Sequence, residues 1–269
     1  MIIFPPAKVN LGLNVLFKRE DGFHELDTCM VPIPFTDVLE ILPAMGFEFR
    51  QTGLVIDGDQ EKNLCVKAFR LMQEKYSCPP AYIHLRKIIP MGAGLGGGSA
   101  DAAYVLKGLR DLFSLPCSDL KLEELAAELG SDCPFFVANK PQIARGRGEI
   151  LSPCETNLSG HYIKLINPGI HVGTAEAYAG IEFSIKNMSV KEIVEGPIDS
   201  WKELLKNDFE TTVFRNHPVL KEIKDQLYLE GAVYAAMSGS GSTMFGIFDR
   251  EPSLSFGNQP NYLEIIRKF

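Results

Sequence analysis

A glycine-rich segment at residues 90–100 carries the strongest chemical signal in the chain. It reads Pro-Met-Gly-Ala-Gly-Leu-Gly-Gly-Gly-Ser-Ala, with five glycines in seven consecutive positions. Glycine accepts positive φ and has no Cβ, so successive backbone N–H groups can turn toward one anion. A helix that begins after such a loop points its positive end at the same anion. The segment therefore predicts a polyphosphate-binding loop; the alternative is a glycine-rich turn without a ligand.

The flanking sequences predict the elements that position this loop. Residues 81–89 alternate in polarity and contain β-branched and aromatic residues, which is typical of a strand. Residues 99–113 carry apolar side chains at helical spacing, with Ser99 as the candidate N-cap. Ser99 would then either cap the helix or offer its hydroxyl to a phosphate or to Mg²⁺.

Two well-known nucleotide-binding patterns do not fit the loop. A Walker A loop requires Lys-Ser or Lys-Thr after its last glycine, whereas Gly98 is followed by Ser-Ala. The glycine spacing does match the dinucleotide-binding fingerprint. That fold needs a parallel strand after the helix, however, and residues 118–129 have the pattern of a second helix.

The remaining chain predicts an α+β order of elements. The first half combines strands at 8–17 and 25–34, joined by a turn at 19–22, with helices at 63–76 and 118–129. The second half is predicted to contain a strand at 161–167, helices at 174–180, 200–207 and 218–229, and strands at 232–237 and 243–248. A domain boundary is predicted near residues 152 and 153.

Composition excludes several classes of protein. The chain has 269 residues, 45% hydrophobic and 23% charged, as expected of a globular protein. A formal net charge of −7 disfavours nucleic-acid and anionic-membrane partners. The N-terminus lacks a signal-peptide pattern, and no apolar run approaches the ~20 residues of a membrane span, so we expect a cytoplasmic protein. Its six scattered cysteines are expected to be reduced, mostly buried thiols.

Three segments in order along the chain resemble the motifs of the GHMP kinase superfamily, whose members phosphorylate small alcohols and acids with ATP. They are residues 6–14, 90–103 and 237–245. The resemblance implies a two-domain α+β fold. Its N-terminal ATP-binding domain, over 1–152, would be of the ribosomal protein S5 domain 2-like type. Its C-terminal domain, over 153–269, would be a ferredoxin-like α/β sandwich, with the active site in the cleft between the domains.

Within the superfamily, the chain resembles the 4-diphosphocytidyl-2-C-methyl-D-erythritol kinases over nearly its whole length. The distinguishing segments are residues 19–26, 129–136 and 144–149. The implied reaction transfers the ATP γ-phosphoryl group to the 2-hydroxyl of the methylerythritol unit, a step toward isoprenoid precursors by the non-mevalonate route. The alternatives are another GHMP kinase, acting on mevalonate, homoserine or a sugar, and a nucleotide-binding sensor without catalysis. The sequence leaves monomer and homodimer open.

The resemblance also assigns residues to the nucleotide. Mg²⁺ is expected with ATP, although the sequence shows no ligand set for it. Gly239, Ser240 and Gly241 form the third motif, which would close the phosphate side of the site; a plain hairpin turn is the alternative. The residues implied to bind ATP are Pro90, Met91, Gly92, Ala93, Gly94, Leu95, Gly96, Gly97, Gly98, Ser99 and Ala100.

Two charged residues match the catalytic positions of the family. The resemblance implies that Asp132 accepts the proton of the 2-hydroxyl; as an alternative, it would cap the next helix. Lys8 lies within an otherwise apolar strand. It would either point to solvent from an edge strand or face Asp132, keep that carboxylate ionised and orient it.

Recognition of the cytidine group is implied for an aromatic set. In the family the ring lies between aromatic side chains and is read by a histidine, which indicates Phe23, His24 and Tyr178. Asn10 matches a position that contacts the substrate. The family often has tyrosine where this chain has Phe23, and stacking does not require that hydroxyl.

Overall fold

The computed structural model describes residues 1–55, 58–181, 183, 186–256, 259 and 261–269. Two compact units alternate along the chain. The first comprises Met1–Lys8, Phe35–Met91 and Gly96–Lys140, and the second comprises Val9–Pro34, Gly92–Leu95 and Pro141–Phe269. The predicted domain boundary near residue 152 lies inside the second unit, so the two units do not follow it. The boundary between the two domains of the family stays a prediction.

Strands and helices are interspersed, which confirms the α+β class. The strands are β1 (Ile2–Ile3), β2 (Pro6–Lys18), β3 (His24–Thr36), β4 (Val38–Pro43), β5 (Glu48–Gly53), β6 (Ala81–Lys87), β7 (Gln142–Gly146), β8 (Ile150–Pro153), β9 (Tyr162–Asn167), β10 (Tyr234–Met237), β11 (Met244–Phe248) and β12 (Leu263–Lys268). The helices are α1 (Leu64–Tyr76), α2 (Gly97–Phe113), α3 (Asp119–Leu129), α4 (Phe135–Ala138), α5 (Thr174–Tyr178), α6 (Val190–Val194), α7 (Trp201–Leu204), α8 (Glu210–Asn216) and α9 (Pro218–Leu229).

The strands form three four-stranded sheets. In the first unit the order is β1-β4-β6-β5, with β5 parallel to β6 and the other pairs antiparallel. In the second unit the order is β10-β11-β9-β12, antiparallel throughout. The third sheet, β2-β3-β7-β8, lies largely in the second unit, because β2 leaves the first unit at Lys8 and β3 enters it at Phe35.

Each unit has its own apolar core. In the first unit, α2 approaches the sheet so closely that a β-carbon on Gly108 would lie 2.6 Å from Cδ1 of Ile41. In the second unit, buried side chains of α9, among them Leu220 and Leu227, pack with Ile166 of β9 and Met244 of β11. These cores fix the strand ends and helix starts that carry the candidate site.

Most predicted elements are confirmed, but two predicted helices need correction. The helix predicted to begin at Ser99 begins at Gly97, with Gly96 as an N-cap of positive φ and no side-chain cap. The helix predicted at 200–207 is α-helical only over Trp201–Leu204. Its continuation pairs instead with β2, where Leu13 N–H donates to the Lys206 carbonyl. The C-terminal tail, from which the sequence predicted nothing, adds β12 beside β9.

The cysteine prediction is confirmed, since all six thiols are free and buried. No helix in the described part of the chain is long and apolar enough to cross a membrane.

Candidate active site

The glycine-rich loop has the alternating backbone that a nest of N–H groups requires. Gly92, Gly94 and Gly96 have φ values of +62°, +76° and +68°, while Ala93 and Leu95 between them do not have positive φ. Alternation of this kind turns consecutive N–H groups to one side, which is how backbone concavities bind anions. The α2 helix starts directly after it at Gly97. The predicted loop geometry is present, and its phosphate ligand stays a prediction.

In the second unit, the middle of the loop rests on the third motif. A β-carbon on Gly94 would lie 1.9 Å from the Ser238 carbonyl oxygen, so no other residue fits there without a backbone shift. The Ser238 hydroxyl donates a 2.8 Å hydrogen bond to the Gly94 carbonyl. The amide of Asn207 in turn donates to the carbonyls of Met237 and Gly239, each at 2.8 Å. The third motif joins the antiparallel strands β10 and β11 and supports the loop; its role at the phosphates stays a prediction.

In the first unit, the end of the loop packs against Lys8. A β-carbon on Gly96 would lie 2.9 Å from Cζ of Phe136 and 3.1 Å from Cγ of Lys8. Lys8 is only 4% exposed, and its Nζ lies 3.6 Å from Oδ2 of Asp132. The solvent-facing alternative for Lys8 is thus wrong, and the predicted pairing with Asp132 is confirmed. Their catalytic roles remain predictions.

Asp132 belongs to the turn between α3 and α4. Its side chain is 32% exposed, so the carboxylate stays reachable while Lys8 beside it is buried. Helix α4 follows Pro134 without any side-chain cap, which removes the alternative of Asp132 as a capping residue. Asp132 thus contributes a negative charge beside the buried Lys8 ammonium and does not stabilise the start of α4.

Ser99 lies in the first turn of α2, close to the Asp132 turn. Burial raises the pKa of the Cys133 thiol to about 11, and the Ser99 side chain acts in the opposite direction. The N-cap of α2 is Gly96, so the N-cap alternative for Ser99 is wrong.

A cavity of about 550 Å³ opens beside the loop within the first unit. This volume is in the range of small-molecule sites, which are mainly apolar with a few polar groups. Met91 and Gly98 of the loop segment line it directly. The other lining residues combine apolar side chains, such as Phe49, Leu64 and Leu85, with polar ones, such as Thr52, Asn63 and Asp101.

Asn10 lies in a buried polar network of the second unit. Its side-chain amide donates to the Thr28 hydroxyl at 3.1 Å, and Thr28 donates to the Gly12 carbonyl at 2.5 Å. A β-carbon on Gly239 would lie 3.4 Å from Oδ1 of Asn10. The amide oxygen of Asn10 thus faces the third motif. Sequence reasoning did not identify Thr28.

The aromatic residues predicted to bind cytidine form two contacts. The rings of His24 and Tyr178 stack at 4.5 Å with an interplanar angle of 20°. Phe23 is half exposed, and the guanidinium of Arg147 lies 4.7 Å from its ring centroid. Burial, and to a lesser extent the charge of Lys18, lowers the pKa of His24. The imidazole is therefore neutral at neutral pH and can both donate and accept a hydrogen bond. The contact of Arg147 with Phe23 was not predicted.

No group of three or more His, Cys, Asp or Glu side chains is placed to hold a metal ion among the residues that the structure describes. A metal that accompanies a nucleotide takes most of its ligands from phosphates and water. The geometry is therefore compatible with a metal that enters with the nucleotide.

Comparison with known proteins covers nearly the whole chain. Residues 63–140 match the model of the GHMP kinases N terminal domain, and residues 189–256 match that of the GHMP kinases C terminal region. A 4-diphosphocytidyl-2-C-methyl-D-erythritol kinase from Cytophaga hutchinsonii is 49% identical over 262 residues, which cover 97% of each chain. A related kinase from Bacteroides fragilis, of the same name, is 49% identical over 259 residues, or 95% of this chain and 94% of that one.

A solved structure is similar over the same extent. The crystal structure of a 4-(cytidine 5'-diphospho)-2C-methyl-D-erythritol kinase superposes with a TM-score of 0.81 at 36% identity, covering 92% of this chain and 90% of that one. The predicted two-domain α+β fold of the GHMP kinases is confirmed by these matches.

Proposed function

Because the chain belongs to the GHMP kinases, and among them to the 4-diphosphocytidyl-2-C-methyl-D-erythritol kinase family, we propose that it phosphorylates 4-diphosphocytidyl-2-C-methyl-D-erythritol with ATP. The γ-phosphoryl group passes to the 2-hydroxyl of the methylerythritol unit, giving the 2-phosphate and ADP in the non-mevalonate route to isoprenoid precursors. One observation carries the chemistry: the Lys8–Asp132 pair packs against Gly96 of the phosphate loop.

ATP is proposed to bind along the loop and the adjoining cavity. The nest of N–H groups and the start of α2 receive the phosphates, since both present partial positive charge. The nucleoside occupies the cavity, whose lining includes Met91 and Gly98 at either side of the loop. Mg²⁺ bound to the phosphates would neutralise charge that develops during transfer. Ser99, in the first turn of α2, is in position to donate its hydroxyl to a phosphate.

Asp132 is proposed to orient the 2-hydroxyl and accept its proton. Phosphoryl transfer asks the protein for positioning and electrostatic stabilisation more than for covalent chemistry. The ammonium of Lys8, 3.6 Å away, stabilises the ionised carboxylate and fixes its direction. Because the ion pair fixes the direction of the carboxylate, we expect orientation of the hydroxyl to contribute more to the rate than proton abstraction does.

The cytidine group is proposed to bind at the aromatic residues of the second unit. Phe23 offers a half-exposed face for stacking, and Arg147 lies over the ring. His24, held by its stacking on Tyr178, reads the polar edge of the base through a neutral imidazole. Asn10, fixed by Thr28, contacts the methylerythritol part of the substrate.

The proposal is tested by ADP release in a coupled assay with Mg-ATP. The acceptors compared are 4-diphosphocytidyl-2-C-methyl-D-erythritol, mevalonate, homoserine and galactose, and phosphorus NMR locates the new phosphate. We expect turnover of the cytidyl substrate alone, with phosphate on the 2-hydroxyl. Turnover of another acceptor would contradict the assigned substrate, and ATP binding without any turnover would favour a nucleotide sensor.

A further inference from the structure

Three charged side chains form a buried cluster beneath the phosphate loop. Asp37 is the single residue between β3 and β4, Lys87 ends β6, and Asp101 lies on α2. The Lys87 ammonium lies 2.5 Å from Oδ2 of Asp37 and 2.8 Å from Oδ2 of Asp101. All three side chains are almost completely buried. We call this cluster the buried triad; it joins three elements of the first unit.

The buried triad contacts the chain on both sides of the loop. On the entry side, Oδ1 of Asp37 accepts hydrogen bonds from the N–H groups of Ile88 and Ile89, at 2.5 and 2.9 Å. These two residues lead directly from β6 into Pro90. On the exit side, Asp101 is part of α2, whose first turn follows the loop. One ammonium therefore links the last residues before the loop to the first helix after it.

Gly97 makes room for this link. A β-carbon at that position would lie 2.8 Å from Nζ of Lys87. Gly97 has no positive φ, so the backbone alone does not demand glycine there. Glycine is needed at position 97 because the Lys87 ammonium lies against the start of α2 and leaves no space for a side chain.

Stability alone does not account for the buried triad. Desolvation of buried charges offsets much of their mutual attraction, and apolar residues of similar volume often serve a core as well or better. Two carboxylates also share one ammonium, and Oδ1 of Asp101 has no hydrogen-bond partner within the described part of the chain. Burial, with the nearby charge of Asp37, raises the pKa of Asp101 to about 7, and Lys87 opposes this rise. The fold thus retains a costly arrangement at the base of its phosphate loop.

We propose that Asp37, Lys87 and Asp101 are positioning residues that hold both ends of the loop in the conformation that binds the phosphates of ATP. They do not touch the reacting atoms; they act through Ile88, Ile89 and the first turns of α2. This inference rests on the proposed function only in taking the loop as the site of the ATP phosphates.

The test is ATP binding by Asp37→Asn, measured by calorimetry without an acceptor alcohol, because Asp37 does not line the cavity proposed for the nucleoside. The amide oxygen of asparagine still accepts from the N–H groups of Ile88 and Ile89, and Lys87 stays paired with Asp101, but the charged link between Lys87 and residue 37 is lost. We expect ATP to bind about 10-fold more weakly, which corresponds to about 1.4 kcal/mol. At saturating ATP, we expect kcat and the KM of the cytidyl substrate to change less than about twofold. The variant weakens the binding of ATP equally in the ground state and in the transition state, which leaves the chemical step unchanged. Hydrogen exchange at residues 88–100 should become faster.

The matched control is Glu264→Gln in the second unit. There Lys164 is buried between two carboxylates, at 2.7 Å from Glu230 and 2.9 Å from Glu264. Glu264 also accepts hydrogen bonds from two backbone N–H groups, as Asp37 does. This substitution should lower the melting temperature in the same way and leave ATP affinity unchanged.

The outcomes separate a positioning role from a structural one. Unchanged ATP affinity in Asp37→Asn, or an equal loss of affinity in Glu264→Gln, would overturn the proposal. If Asp37→Asn does not fold, Asp101→Asn replaces it with hydrogen exchange at residues 88–100 as the readout, because Asp101 also lines the cavity; unchanged exchange would then overturn the proposal. Failure of the unmodified protein to bind ATP would instead contradict the proposed function.

Discussion

Cγ of Lys8 lies 3.1 Å from the position that a β-carbon would take on Gly96. The candidate catalytic lysine is thus held by the backbone of the phosphate loop, and its ammonium reaches Asp132 from there. A side chain at position 96 would push Lys8 and Phe136 away from their places.

Gly96→Ala is therefore expected to lower kcat by about 100-fold, because displacements near 1 Å in an active site cost about that much. It should also destabilise the fold by roughly 1–2 kcal/mol through its positive φ. The control is Gly160→Ala, which has a φ of +89° and no atom near its added carbon. That variant should lose similar stability and keep its kcat, as followed by steady-state kinetics and urea denaturation. Equal kcat values for the two variants would show that the packing of Lys8 against Gly96 does not contribute to catalysis.

Asp132→Asn is expected to lower turnover by roughly three orders of magnitude, the range seen for loss of a positioned acid–base group. Binding of ATP and of the cytidyl substrate should persist, because the amide preserves shape in a partly exposed turn. Calorimetry measures both ligands, and single-turnover kinetics measure the chemical step. A variant with near-normal turnover would remove Asp132 from the mechanism.

The pH dependence of substrate binding is expected to report on His24. Burial and the charge of Lys18 lower its pKa, so the neutral imidazole persists below the ordinary value of 6.5. The KM for the cytidyl substrate should stay level near neutrality and rise only once the pH falls below that value. NMR titration of the ring checks the pKa directly. Lys18→Met should move both curves to higher pH; an unchanged KM profile beside a shifted NMR titration would mean that His24 does not read the base.

Asp101 is expected to make the unfolding free energy fall as pH rises from about 4 to about 7. Its pKa is about 7 in the fold against 3.8 as the ordinary value, chiefly because of burial. In this window the folded protein retains a proton that the unfolded chain has released, so rising pH favours unfolding. Above about pH 7 the contribution is constant.

In Asp101→Asn this slope disappears. The difference in unfolding free energy between the variant and the unmodified protein should therefore change by at most roughly 4 kcal/mol across the window. Urea denaturation at several pH values measures it. Parallel curves for the two proteins would show that the carboxyl does not titrate there.

The sequence predicted what lies in continuous segments. The strand before the loop and the helix after it follow from local pattern. The pairing of Lys8 with Asp132 was one of two alternatives, and the resemblance to the kinase family supplied it. The helix α2 begins two residues before the predicted Ser99, because the sequence analysis counts Gly97 and Gly98 with the glycine-rich loop. Glycine disfavours a helix by only about 1 kcal/mol per residue, which tertiary contacts easily overcome.

The supports of the site were not predicted, because distant segments supply them. Asn207 holds the third motif across 30 residues, and Asp37 meets Lys87 across 50. Each is an ordinary polar residue in its local sequence, and only the fold brings it to its partner. Roles for the predicted site residues likewise depend on ligands and stay predictions.

Glycine-rich segments are usually regarded as flexible, yet the neighbours of this loop leave it little freedom. The Ser238 carbonyl occupies the side-chain space of Gly94, Lys8 and Phe136 that of Gly96, and Lys87 that of Gly97. The conformational entropy of these residues, the largest of any residue type, is thus surrendered when the protein folds. Binding of the nucleotide therefore does not have to order the loop. The entropic cost of ordering the protein on binding is smaller for such a preorganised site. The calorimetric signature expected for ATP is accordingly a small entropic penalty.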